Sequence, residues 1–252
     1  MDEPKPDFSA KSYLLPRIDP EGRRFGRIAL CIAAVPLAIA LLHALAARHP
    51  AAAVFWTLFS FAVPLLLPAA YGTYLFFRDP DRYPPEDPDA VLSPADGRVC
   101  LVTERELPDS LGGVATPAGS KHWCVSVFMS VFNVHVNRMP TAGEILKKEY
   151  VPAGKFLNAS LDKASKENER CNYLVKAGNG QIYAVTQIAG LVARRIVPRV
   201  SDGDRLERAQ RFGLIRFGSR LDVYLPEGVK PEVRVGQTMI AGETVLAHLK
   251  RG

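Results

Sequence analysis

The sequence predicts a mainly β chain, a β-sandwich or barrel-like α+β domain, set behind an N-terminal hydrophobic helical hairpin. Three observations predict it. Two long uncharged runs, residues 28–47 and 51–77, lie almost back to back. A Pro- and Asp-rich stretch, DPDRYPPEDPDA at 79–90, follows them and cannot be helix or strand for long. Beyond it the chain breaks into short apolar or alternating runs bounded by turn residues, with little helical periodicity. A mean hydropathy of +0.01 over 252 residues is therefore the average of two unlike parts. The length allows one or two domains with a real core, and the composition excludes a disordered tail or a collagen-like chain.

Residues 1–27 form a polar, Pro-containing leader, too long and without a convincing cleavage site to be a signal peptide. In the first run His43 and Cys31 are the only ionisable side chains, and the second has no charged residue. Each is long enough to cross a hydrocarbon layer of about 30 Å as a helix of about 20 residues. Only Arg48, His49 and Pro50 separate them, which allows a helical hairpin and little else. Pro36, Pro64 and Pro68 would kink the helices, which membrane helices tolerate better than soluble ones. Buried core helices, or a hairpin lying in the membrane interface, are the alternatives. Arg17, Arg23, Arg24 and Arg27 precede the pair and Arg78 and Arg82 follow it, against the single Arg48 in the turn. The positive-inside rule then places both ends on the cytoplasmic side.

Residues 78–92 read as the linker and 93–252 as the β domain. Its clearest strand signatures are 98–103, 122–129, 181–188 and 221–225; the best short helix candidate is 159–168. The net charge of +6 does not point to nucleic acid, because no basic run is interleaved with stacking aromatics. Arg194, Arg195, Arg199, Arg205, Arg208, Arg211 and Arg216 suit an anionic membrane surface, and equally an ordinary solvated face. Cys31, Cys100, Cys124 and Cys171 are scattered, with the spacing of neither a disulfide framework nor a zinc site, so no metal is expected.

Three segments of the β domain draw attention together. Ser93-Pro94-Ala95-Asp96-Gly97 stands directly before a strand and alone would be a turn. Asn133-Val134-His135-Val136-Asn137-Arg138-Met139-Pro140 alternates a histidine with apolar and amide residues, a pattern that also suits a core histidine. Phe217-Gly218-Ser219-Arg220 opens the strand 221–225, where Gly-Ser is usually a turn.

Taken with FFRDPDR (76–82), GKFLNA (154–159), DKASKENER (162–170), QIAG (187–190), ARRIV (193–197) and RFGSRLDVYLP (216–226), these segments run in the order found in the phosphatidylserine decarboxylases, and the chain resembles their short bacterial form. The resemblance covers nearly everything from residue 76 onward. It implies a pyruvoyl-dependent carboxy-lyase that converts phosphatidylserine to phosphatidylethanolamine and CO2, with no metal. In such proteins the chain cuts itself at a Gly-Ser bond, here Gly218–Ser219, into 1–218 and 219–252. Ser219 becomes the pyruvoyl group, which forms a Schiff base with the serine amine of the substrate. A serine needs a base; His135 is the candidate, with Asp96 orienting it in the manner of a Ser-His-Asp relay.

One departure qualifies the carry-over: long-form members have two histidines before Met-Pro, and the second place here is Arg138. His135 would then serve both cleavage and decarboxylation, or Arg138 or another group would help. Asn137, Arg138, Arg194 and Arg195 are candidates for holding the substrate carboxylate or phosphate. The resemblance also implies a homodimer at the cytoplasmic face of a bacterial inner membrane, with an anionic phospholipid surface and its own cleaved chains as partners. Two other readings stand beside this one. The first is a decarboxylase of another phosphoserine lipid, such as archaetidylserine. The second is a non-enzymatic, membrane-tethered β-sandwich binding module, suggested by GQTMIAGETVLAHL (236–249), which lacks the exposed lysine of a lipoyl carrier.

Overall fold

Asp19-Pro20-Glu21 is a helix start signal, a capping carboxylate followed by proline at the first helical position. In the computed structural model, which describes residues 17–46, 51, 54–55, 71–111, 119–152, 159, 167–190, 195–216 and 218–250, a helix begins there. The chain divides into two compact units, 7–80 and 81–252.

In the first unit, strand β1 (Arg17–Ile18) leads into helix α1 (Pro20–Ala46); a π-helix (Tyr71–Phe76) and strand β2 (Arg78–Asp79) close it. β1 pairs antiparallel with β2, so the entry to the first apolar run and the exit from the second are adjacent. Asp19 Oδ1 accepts the Glu21 amide at 3.0 Å, capping the helix, while the Asp19 amide donates to Phe77 O at 2.8 Å. Phe25 stacks on Phe77 with ring centroids 5.2 Å apart. Gly22 makes room for that contact: a Cβ there would lie 2.4 Å from Phe77 Cβ. The helix starts well before the apolar run and takes in Glu21, Arg23, Arg24 and Arg27, which sequence analysis left in the polar leader. The cap, not the hydropathy, decides where a helix begins. Among the described residues no helix is long and apolar enough to cross a membrane. Most of the second run lies outside the described residues.

The second unit is built from β3 (Ala90–Leu92), β4 (Gly97–Glu106), β5 (Lys121–Met129), β6 (Val136–Arg138), β7 (Gly143–Val151), β8 (Arg170–Ala177), β9 (Ile182–Ala189), β10 (Ile196–Pro198), β11 (Arg205–Leu206), β12 (Arg211–Ile215), β13 (Ser219–Tyr224), β14 (Thr238–Met239) and β15 (Val245–His248). An eight-stranded antiparallel sheet runs β11-β7-β8-β9-β13-β5-β4-β14, a three-stranded one β10-β12-β6, and β15 pairs with β3. The mainly β, sandwich-like fold expected from the sequence is thus present, and the four strand signatures lie on strands but for Gln181 and Leu225 at their ends. The linker is less irregular than its prolines suggest. Ala90–Leu92 is a fully buried strand, because it can pair with a distant partner, β15, which the sequence does not reveal. The helix candidate 159–168 lies mostly outside the described residues.

Burial explains how the two larger sheets hold each other. Val125, Val127 and Met129 of β5, Tyr173 and Val175 of β8, and Leu221 and Val223 of β13 share one core with Ile196 of β10 and Phe212 and Ile215 of β12. Tyr173 meets Phe212 edge to face, centroids 5.2 Å apart, and so pins β8 to β12. Alternate residues of β5, β8 and β13, namely Cys124, Leu174 and Tyr224, form a second cluster with Ala184 of β9, Leu107 and Leu111 on the opposite face. The central strand β13 is therefore covered on both faces, and all six of its residues are buried.

Candidate active site

Ser219 is the first residue of β13, opposite Met129 of β5 and Ala189 of β9. The chain reaches it directly from β12, so the Gly218–Ser219 bond lies where the backbone crosses from the three-stranded sheet to the centre of the eight-stranded one. That crossing needs a sharp turn. Gly218 supplies it with φ of 70°, in the left-handed region where a side chain is strained. Phe217 lies outside the described residues.

The histidine segment arrives through sheet pairing. Val136 and Asn137 of β6 face Leu214 and Gly213 of β12, and His135 just before them is fully buried. Its Nδ1 lies 2.8 Å from Asn133 O, and Gly218 N–H donates to its Nε2 at 3.2 Å. A carbonyl can only accept, so Nδ1 carries the proton and Nε2 the lone pair. This is the neutral tautomer, with its basic nitrogen turned to the Gly-Ser junction. Ser219 Oγ is buried and lies 4.0 Å from Met129 Sδ.

The first segment joins the second through the backbone: Arg138 N donates to Pro94 O at 3.0 Å and Leu92 N to Pro140 O at 2.9 Å. All three sequence constellations therefore belong to one region. Asp96, however, is placed differently from the expectation that it orients His135. Arg82 Nη2 lies 2.9 Å from both carboxylate oxygens, and the Ala241 amide donates to Oδ1 at 2.8 Å. Asp96 thus ties Arg82 and the C-terminal turn to the SPADG loop, and the group on His135 Nδ1 is the Asn133 carbonyl. Charge complementarity with Arg82, 14 residues away, outweighs the relay pairing that the order of motifs suggested.

The candidate substrate-binding residues divide as well. Asn137 is fully buried; its Oδ1 accepts from Gln187 Nε2 at 2.7 Å and its Nδ2 faces Met129 Sδ at 3.7 Å. Tyr173 OH donates to Gln187 Oε1 at 2.6 Å, completing a buried polar string that ends beside the sulfur facing Ser219. Burial pushes the Tyr173 hydroxyl well up, so it remains a proton donor. Arg138 is buried with its guanidinium on Ala209 O at 3.1 Å. Arg195 is exposed, and Arg194 lies outside the described residues. In the sequence Met129 and Tyr173 read as ordinary strand residues and Gln187 as part of a motif with no chemistry attached; only the register brings the three together.

Ser219 has no competing thiol nucleophile in this core. Burial pushes Cys124 well above its ordinary range and Cys171 up to about 11. Among the described residues no three His, Cys, Asp or Glu side chains are grouped to hold a metal ion.

Set against known proteins, the chain falls among decarboxylases acting in phospholipid metabolism. A family model described as phosphatidylserine decarboxylase matches residues 72–247, and the chain belongs to that family. It is 49% identical over 240 residues to a phosphatidylserine decarboxylase proenzyme of Erythrobacter litoralis, covering 93% of this chain and 88% of the relative. A proenzyme of the same description from Zymomonas mobilis is 43% identical over 98% of this chain and 94% of its own length. One from Ruegeria pomeroyi is 58% identical over 70% of this chain and 78% of its own.

Proposed function

We propose that the chain is the precursor of a phosphatidylserine decarboxylase that cuts itself between Gly218 and Ser219 and works at the cytoplasmic face of the membrane. The observation that carries the reading is the junction itself: a left-handed glycine whose amide sits on His135 Nε2, followed by a buried serine at the head of the central strand. Ser219 Oγ attacks the Gly218 carbonyl and the amide becomes an ester. Loss of the Ser219 α-proton expels the 1–218 chain as a carboxylate and leaves a dehydroalanine; water adds to its imine form and displaces ammonia, leaving a pyruvoyl group on 219–252.

The residues around position 219 fit such a group, since it inherits a buried place between β5 and β9 with a neutral histidine beside it. The pyruvoyl group supplies a carbonyl that takes the substrate amine and draws in the electron pair left as CO2 departs. His135 has the remaining proton work. Its Nε2 accepts a hydrogen bond from an amide that becomes the last peptide N–H of the large chain, so cutting frees it to hold a proton beside residue 219. Asn133 O on Nδ1 keeps the ring oriented throughout.

Intact-mass measurement of the purified protein tests the reading. Two chains meeting at Gly218 and Ser219, the smaller one lacking ammonia, are expected; an undivided chain that still releases CO2 from phosphatidylserine would refute it. A second expectation concerns the base. His135→Gln keeps the size and a hydrogen-bonding group but removes the basic nitrogen. The half-time of chain division should lengthen by about 10²–10⁴-fold, the usual worth of a positioned acid–base group. Time-resolved mass spectra read this directly.

A further inference from the structure

The proposed cleavage gives no task to the end of β9, yet the junction leaves no room there for a side chain. Ser219 pairs with Ala189, and the next residue, Gly190, faces the carbonyl that Ser219 must attack. A Cβ on Gly190 would lie 2.0 Å from Gly218 O and 3.0 Å from Gly218 C. Gly218 has the opposite character. A Cβ there would meet nothing within 4 Å, and its glycine is required by its φ of 70° alone. The two glycines flanking this carbonyl thus serve different needs, one conformational and one spatial.

The backbone at Gly190 is held from behind. Asn168 Nδ2 donates to Ala189 O at 2.7 Å, and the Ala189 amide donates to Glu169 O at 2.9 Å. Glu169 Oε1 accepts the Ile196 amide at 2.8 Å, carrying the clamp into β10. That strand belongs to the three-stranded sheet that also contains β6, the strand following His135. Asn168 and Glu169 are both buried. A peptide fixed on both sides in this way acts as a wall.

We infer that Gly190, fixed by Asn168 and Glu169, is the positioning residue for the scissile carbonyl. The inference rests on the proposed self-cleavage and assigns Gly190 to its first step. There the Ser219 Oγ–Gly218 C bond forms, the Gly218 C–Ser219 N bond breaks, and the hydroxyl proton passes by way of His135 to the freed amine. The wall keeps the carbonyl from turning away towards β9 as the Gly218 carbon becomes tetrahedral. Later steps break the Cα–H and Cβ–Oγ bonds of Ser219 and do not need it.

Hydroxylamine separates the first step from the later ones, because it cuts an ester but not an amide, leaving 1–218 as a hydroxamate and an intact serine on 219–252. With the full-length protein in detergent, Gly190→Ala should divide about a hundredfold more slowly than wild type, the cost of a misplacement near 1 Å. Hydroxylamine should not restore the rate, because the ester itself fails to form. Asn168→Ala, which removes one arm of the clamp without filling the space, should show a weaker defect of the same kind. It decides the matter alone if Gly190→Ala does not fold. Division of Gly190→Ala at the wild-type rate overturns the inference, as does hydroxylamine cutting at the wild-type rate; for an insoluble Gly190→Ala, wild-type division of Asn168→Ala does so. A wild-type chain that never divides, with or without hydroxylamine, overturns the self-cleavage itself and the inference with it.

Discussion

Ser219→Ala should leave a single chain of 252 residues with no decarboxylase activity, folded as the wild type is. Ser219 Oγ faces Met129 Sδ at 4.0 Å, a weak contact, so removing the oxygen sacrifices no strong hydrogen bond and the stability cost is small. The chemical cost is total. Alanine has no nucleophile to open the Gly218 amide, and no other side chain can supply the missing carbonyl. Burial raises the Cys124 and Cys171 thiols, and a thiol elsewhere in the sheet could not generate a group at the head of β13. Denaturing gel mobility and CO2 release from phosphatidylserine vesicles read the two halves of this prediction separately. A Ser219→Ala protein that divides at the same bond would show that the hydroxyl is not the attacking group.

What the sequence made legible follows from how local each signal is. Ser219, Gly218 and His135 lie in segments whose order along the chain could be matched to a family, and the sheet register brings them together. Asp96 was legible as important but not in its role, because Arg82 and the Ala241 amide reach it through tertiary folding. The cap at Asp19 is a local signal, yet the stronger hydropathy signal masked it and put the helix start too late. Gly190 stood inside a quoted motif without any chemistry attached. Nothing in the letters says that a strand-end glycine is there for a carbonyl some thirty positions away, and only packing distance shows it. Leu221-Asp222-Val223-Tyr224 was legible as a strand, but not its burial: both faces of β13 are covered and Asp222 is wholly buried.

That burial makes Asp222→Asn the substitution with the largest expected effect on stability. Arg220 and Asp222 point to the same face of β13, two residues apart, with Nε–Oδ1 at 2.8 Å and Nη2–Oδ2 at 2.9 Å. Burial alone would lower the Arg220 pKa, but the Asp222 carboxylate outweighs it and raises it, so the guanidinium stays charged in the core. Asparagine keeps the shape and one acceptor but leaves that charge uncompensated, which costs about 3–5 kcal/mol in buried pairs of this kind. Chemical denaturation of an undivided Ser219→Ala background would measure it as a single transition shifted to lower denaturant. Replacing both partners, Arg220→Met with Asp222→Leu, should recover most of the loss, since two apolar residues leave no buried charge. With Ser219 restored, the double variant should not recover chain division to the same extent. Arg220 Nη1 also donates to Ala159 O at 3.0 Å, and the Ala159 Cβ stands 3.6 Å from where a Gly190 Cβ would be. The guanidinium therefore ties Ala159, which packs against Gly190, to the strand that begins at Ser219. A double variant as stable as wild type but slower to divide would show that the ion pair is kept for the junction it holds. One that regained both properties together would confine it to the core.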